Sequence, residues 1–137
     1  MKYLLDTNVL SELQKPQGSE KVQSFIASIP LENLYISVIT MGEISYGIER
    51  LPASRKKHEL LIYFYAKIPE WFKNRIIPIE NELAQEWGKM RARAQRTLPG
   101  LDSQIATTAI FHNMILVTRN IHNFEDIEGI QLLNPWE

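Results

Sequence analysis

Asp6, Glu43 and Asp102 are three carboxylates set far apart in the chain, each where an apolar run gives way to a helix. Asp6 closes the run Lys2-Tyr3-Leu4-Leu5 and is followed by Thr7 and Asn8. Glu43 comes after Leu34-Tyr35-Ile36-Ser37, and Asp102 after Leu98-Pro99-Gly100-Leu101. A carboxylate at the end of a buried strand is costly unless something there uses its charge. Several of them crowded together repel one another unless a cation neutralises them. Mg²⁺ or Mn²⁺ favours such oxygen ligands and keeps waters for chemistry. A bound ion of this kind acidifies a water and stabilises charge growing on a scissile phosphate. If the three acids converge, the chemistry they point to is cleavage of a phosphodiester. Each also has a plainer reading: Asp6 and Asp102 as helix caps, Glu43 as a solvated helix residue.

The elements that must position these acids follow from the apolar pattern. Residues 2–6 read as a short strand buried on both faces. Thr7 or Asn8 caps a short helix from Val9 to Leu13. A second helix starts near Ser19, with Val22, Phe25, Ile26 and Ile29 on one face, and stops at Pro30. Leu34 to Ser37 is a second strand, followed by a helix through about Arg50. Residues 54–73 read as one long helix whose middle, Leu60 to Tyr65, is apolar all round. Arg75 to Ile79 is a third strand; Leu83, Trp87, Met90 and Ala94 then fall at helical spacing. Asp102 opens the next helix, with Ile105, Ala106, Ala109 and Ile110 as its stripe. Ile115 to Val117 is a fourth strand, and Ile130 to Leu133 an edge strand. Short buried strands alternating with helices imply an α/β fold with a mainly parallel sheet covered on both faces. Ligands of such sheets bind beyond the carboxyl ends of the strands. Asp6, Glu43, Asp102 and the loop Thr118-Arg119-Asn120 all fall on that edge.

Composition narrows the class. The 137 residues make a single domain, 1–137, with a 45% hydrophobic and 23% charged content ordinary for a globular chain. A net charge of −1 excludes a global basic field, though not a local patch that meets RNA. The absence of cysteine excludes disulfides, thiolate-held zinc and thiol catalysis, and makes a reducing, cytoplasmic setting the expectation. The N-terminus lacks the pattern of a signal peptide, and no apolar run approaches the roughly 20 residues needed to span a bilayer. No Gly-rich phosphate loop, nucleophile elbow or zinc-type histidine motif is present.

The chain resembles PIN-domain ribonucleases of the VapC toxin family, close to the FitB-like branch. The segments that carry the resemblance are Leu4 to Glu12 (Leu-Leu-Asp-Thr-Asn-Val-Leu-Ser-Glu), Ile36 to Ile44 with Tyr46-Gly47-Ile48, and Asp102 to Ala106. Val117 to Asn120 with Phe124, and Asn134-Pro135-Trp136, complete the set. They lie in the family's order from one end of the chain to the other. The resemblance implies an α/β/α sandwich and a Mg²⁺- or Mn²⁺-dependent endoribonuclease. It further implies a homodimer and inhibition by a small DNA-binding antitoxin. On this pattern Asp6, Glu43 and Asp102 are the catalytic and metal-binding carboxylates, with Thr7, Asn8, Thr118 and Asn120 as supporting polar groups. The chain departs from the pattern in one place. Members often carry a fourth acid in the loop after the fourth strand, where this chain has Asn120 and Asn123. That departure suggests one protein-held ion, with a second recruited by substrate.

Around this centre the remaining candidates are cationic and aromatic. Arg91, Arg93 and Arg96 lie on the helix that leads toward Asp102, and Arg119 in the loop beside the acids; these are the candidates for RNA phosphates. The plain alternative is a solvated helix face. His112 ends a helix and is expected to stabilise its dipole. The apolar 60–65 stretch is more than a domain of this size readily buries, and part of the 44–65 region is expected to take an antitoxin helix in a hydrophobic groove, with another surface forming a twofold dimer. The principal functional expectation is an RNA-cleaving toxin. Its alternative is a weakly catalytic subunit that binds a DNA-binding antitoxin and regulates their operon.

Overall fold

Alternation along five short strands sorts the apolar side chains onto two faces of one sheet. The computed structural model describes residues 1–137. The strands are β1 (Tyr3–Leu5), β2 (Leu34–Ser37), β3 (Ile76–Ile77), β4 (Ile115–Val117) and β5 (Leu132–Leu133). All pair in parallel, in the order β3-β2-β1-β4-β5. Leu5 stands opposite Val117, and Val117 opposite Leu133, and these side chains enter one core. Leu4, Leu116 and Leu132, also in register, face the other.

Helices fill both faces. The first core takes Val9 and Leu10 of α1 (Thr7–Leu13), Val22 of α2 (Glu20–Ala27) and Ile48 of α3 (Val38–Glu49). It also takes Phe64, Ile68 and Phe72 from the segment containing α4 (Arg55–Ile62) and α5 (Ile68–Trp71). The second core is built on α6 (Asn81–Arg93) and α7 (Gly100–Phe111), through Met90, Ile105, Ala106 and Ala109, and is closed by Phe124 and Ile127. The result is the expected α/β/α sandwich. No helix is long and apolar enough to cross a membrane.

Two expectations need correction. The long helix over 54–73 is three pieces: α4, a π turn over Tyr63–Lys67 in which the Ile68 N–H reaches the Tyr63 carbonyl, and α5, which ends at Trp71. Pro69 is the physical reason, since it has no N–H for the α-ladder and its ring crowds the turn before it. His112 caps the end of α7, where desolvation, then the nearby Lys2, hold its imidazole below the usual range, against the expected cation at the helix end. The end of α7 is satisfied by the backbone instead. Asn113 adopts a left-handed φ of 55°, and the Met114 N–H reaches the Ala109 carbonyl at 2.8 Å, which turns the chain into β4.

Candidate active site

The register of β1 against β4 builds the centre. Beyond the Leu5–Val117 pair, the Asp6 N–H donates to the Val117 carbonyl at 2.9 Å. The next residue of each strand therefore lies side by side, and the Thr118 hydroxyl donates to Asp6 Oδ2 at 2.8 Å. The other carboxylate oxygen, Oδ1, accepts from the Thr7 N–H at 2.8 Å and so caps α1. The expected cap, Thr7 or Asn8, is thus displaced by Asp6. This is the point where the sheet order reverses around β1, the place where open parallel sheets present a crevice.

Thr118 is fully buried, and its one hydroxyl is fully used. Besides donating to Asp6 it accepts from Asn8 Nδ2 at 3.4 Å and from the Asn120 N–H at 3.1 Å. Asn8 Oδ1 accepts from the Arg119 N–H at 3.3 Å, so α1 and the loop after β4 are stitched together. Thr7 Oγ1 donates to Glu43 Oε1 at 2.9 Å and holds that carboxylate out of α3. Asp102 lies in the first turn of α7. Its neighbour Ser103 fixes that turn, donating to the Gly100 carbonyl at 2.9 Å and accepting from Trp87 Nε1 at 2.8 Å.

Asp6, Glu43 and Asp102 share the wall of one cleft of about 340 Å³ with Thr7, Asn8, Ser11, Glu12, Lys15, Arg119, Asn120 and Trp136. Burial pushes all three carboxyls above the usual range. Repulsion adds to this, as Asp102 acts on Asp6, and both act on Glu43. The bonds from Thr118 and Thr7 oppose the rise at Asp6, and the bond from Thr7 opposes it at Glu43. Lysines and arginines pair with other acids, Lys15 with Glu12 at 3.1 Å and Arg96 with Asp126 at 2.7 Å, while none pairs with these three. The donor set is three carboxylates, hard oxygen ligands with excess negative charge, which suits a small divalent cation. No three acidic or imidazole side chains close on a common point as a complete ligand set. Mg²⁺ does not require one, since it commonly uses one or two carboxylates and fills its shell with water and substrate oxygens.

Of the four candidate arginines, only Arg119 borders the cleft. Arg91 lies over the Trp87 ring, 4.8 Å from its centre. Arg93 lines a separate hollow with Arg96 and Asp126. Arg96 makes a two-pronged contact with Asp126 (2.7 and 3.0 Å) and donates to the Asn123 carbonyl at 2.8 Å. It staples the turn after α6 to the loop after β4, so the expectation of a free phosphate-binding group is not met there. The two amides at the fourth-acid positions separate as well: Asn120 borders the cleft, and Asn123 stands outside it. Sequence reasoning missed Ser11, Glu12 and Lys15. The signal was available in their spacing, because Ser11 and Glu12 share one face of α1 with Asn8, and Lys15 follows just past its end.

A parallel sheet covered on both faces, with an acidic cleft beyond its carboxyl edge, defines an α/β/α protein whose candidate site lies where such sheets take their ligands. The PIN domain family matches residues 3–130, and the chain belongs to that family. Its relatives run its whole length. Toxin FitB of Neisseria gonorrhoeae is 33% identical over 136 residues, 97% of this chain and 97% of that protein. A VapC ribonuclease of Sinorhizobium fredii is 29% identical over 137 residues, 98% of this chain and 97% of that one. The solved structure of FitAB bound to a DNA fragment superposes with a TM-score of 0.91 at 33% identity, covering 98% of this chain and 96% of that one.

Proposed function

We propose that this chain is a metal-dependent endoribonuclease and the toxin of a toxin–antitoxin pair. The observation that carries the reading is the set of three carboxylates, unpaired with any protein cation, on one cleft wall. The full-length likeness to a protein named VapC ribonuclease and to Toxin FitB supports it. Asp6, Glu43 and Asp102 would hold Mg²⁺ or Mn²⁺, which when bound supplies Lewis-acid stabilisation of phosphate charge and lowers the pKa of a water. The protein's own part is placement. Thr118 fixes Asp6, Thr7 fixes Glu43, Asn8 ties the polar loop to α1, and the Asn120 N–H closes onto Thr118 within that loop. Arg119 is the one cleft cation without an acidic partner and offers the phosphate backbone a contact. The test is cleavage of RNA by purified, antitoxin-free protein, with Mg²⁺ and with chelator. Glu43→Gln and Asp102→Asn are expected to lower the rate by about a hundredfold or more. Unchanged cleavage by Asp102→Asn, or full activity in chelator, would overturn the assignment.

The partner side of the proposal is a small DNA-binding antitoxin and a homodimer. Tyr46, Ile62 and Tyr65 are 65%, 47% and 62% exposed, more apolar surface than a free monomer benefits from showing. A second reading, a regulator that tightens its partner's grip on DNA, draws on the DNA-bound FitAB structure and on the uncharged Asn120. Growth arrest that requires Glu43 favours the enzyme. Partner-dependent DNA binding that is indifferent to Glu43, without growth arrest, favours the regulator.

A further inference from the structure

The cleft has one aromatic wall, and neither the acids nor their supports use it. Trp136 lies on the cleft and packs against the apolar cluster beneath β1 and β4. Its backbone is fixed, the N–H donating to Asn134 Oδ1 at 2.9 Å. The Arg119 guanidinium lies over its ring, 5.2 Å from the centre. Arg119 is held from behind as well, since its own N–H donates to Asn8. The other cation of the cleft, Lys15, pairs with Glu12 at 3.1 Å, whereas Arg119 makes no salt bridge and acts on Glu12 only from farther away. A planar cation therefore rests on an indole at the rim of an acidic cleft, with its outer surface exposed.

We propose that Arg119 and Trp136 form a stacking platform for an unpaired nucleobase next to the scissile phosphate, so that the substrate is RNA with a splayed base at the cut. The proposal deepens the ribonuclease reading and rests on it for the identity of the phosphate. Guanidinium planes and aromatic rings are the surfaces on which unstacked RNA bases settle, and the contact tolerates any base because every base has a π-face. A duplex keeps its bases stacked inward and cannot use such a platform. Trp136 packs on its inner side against the core, so the base settles against the exposed guanidinium of Arg119 above the ring.

Binding is the readout, measured in chelator so that no RNA is cut. The probes are a short unpaired RNA oligonucleotide, the same strand with a single abasic site moved along it, and a duplex of the same sequence. An abasic site at one position is expected to weaken binding to the wild-type protein about tenfold, within the range for base–aromatic stacking. The same abasic site should cost less than about twofold in Trp136→Leu and in Arg119→Lys, which keeps the charge and loses the plane. Trp136→Phe should retain most of the abasic cost. Loss of packing alone would weaken intact and abasic strands alike, leaving the cost unchanged, and that result overturns the proposal. So does a duplex bound with the same dependence on Trp136, or an effect confined to binding of the protein antitoxin. If Trp136→Leu does not fold, Arg119→Lys carries the comparison by itself. A parallel cleavage assay with Mg²⁺ separates the two readings. Wild-type cleavage without the abasic pattern removes the platform alone. The abasic pattern without cleavage removes the nuclease alone.

Discussion

Thr118 spends one buried hydroxyl on three partners, and Asp6 depends on it. Thr118→Val keeps the shape and removes the donor, which leaves a nearly buried carboxylate with only the Thr7 N–H. Stability is expected to fall by about 1–3 kcal/mol, measured by denaturant titration, and RNA cleavage by about 10- to 100-fold. Thr118→Ser should restore most of both. Asp102 behaves in the opposite way. Its carboxylate makes no hydrogen bond of its own, and burial raises its pKa. A carboxyl whose folded pKa lies above its unfolded value binds more protons in the native state between the two. Stability is therefore lost as pH rises through that window, and the loss persists above it. Asp102→Asn is expected to melt at a higher temperature than wild type in metal-free buffer at neutral pH, with the difference closing as pH falls below the ordinary carboxylate range. Thermal melts of the two proteins across pH check this. A gain in stability with a loss of cleavage is what a site strained for function predicts.

Elements act on the site through their ends. The first turn of α7 presents Asp102, and it is tied to α6 by the indole N–H of Trp87 on Ser103. Trp87→Phe is expected to cost about 1–2 kcal/mol through the lost hydrogen bond and volume. It should also slow cleavage severalfold, by loosening the turn that carries Asp102. Arg91→Ala, which removes only the exposed cation over the same ring, should leave cleavage within about twofold, consistent with the small value of exposed cation–π contacts. Rates of the two variants on one RNA, beside their melting curves, distinguish the effects. At this scale much was legible. The apolar periods located the strands and helices to within a few residues, and Pro30 marked the end of α2. The roles of Arg91 and Arg93 on α6, and of Arg96, which lies past the end of that helix and not on it as expected, were not legible. Arg96 is close to Asp102 in the sequence, yet the chain turns it onto Asp126, 30 positions away, because a two-pronged carboxylate partner was in reach.

For the whole molecule the acidic cleft gathers unfavourable charge that the proposed cation would relieve. A ligand that binds only the folded state adds stability by mass action, about 2.7 kcal/mol at a hundred times its Kd. Wild-type protein is expected to melt higher in Mg²⁺ or Mn²⁺ than in chelator, and Glu43→Gln to respond much less. Melting curves across a metal titration check it, independently of any RNA. The exposed aromatic surface makes a separate prediction. Tyr65→Glu replaces a 62% exposed side chain, so the melting temperature of the isolated chain should hardly change. Its self-association or its complex with the antitoxin should weaken about tenfold or more, read by analytical ultracentrifugation and titration.

By itself the sequence determined the alternation of short buried strands with helices, the three acids at element boundaries and the two amides in the loop after β4. These are local properties, set by side-chain type and period. Which of them meet was decided by tertiary structure. One strand register puts Thr118 against Asp6 across 112 positions, and a one-residue slip would have put them on opposite faces. The same packing put Asn120 in the cleft and Asn123 outside it. It also turned Arg96 into a staple and laid Arg119 over Trp136. Contacts of that kind depend on how helices seat on a twisted sheet, and no spacing along the chain encodes them.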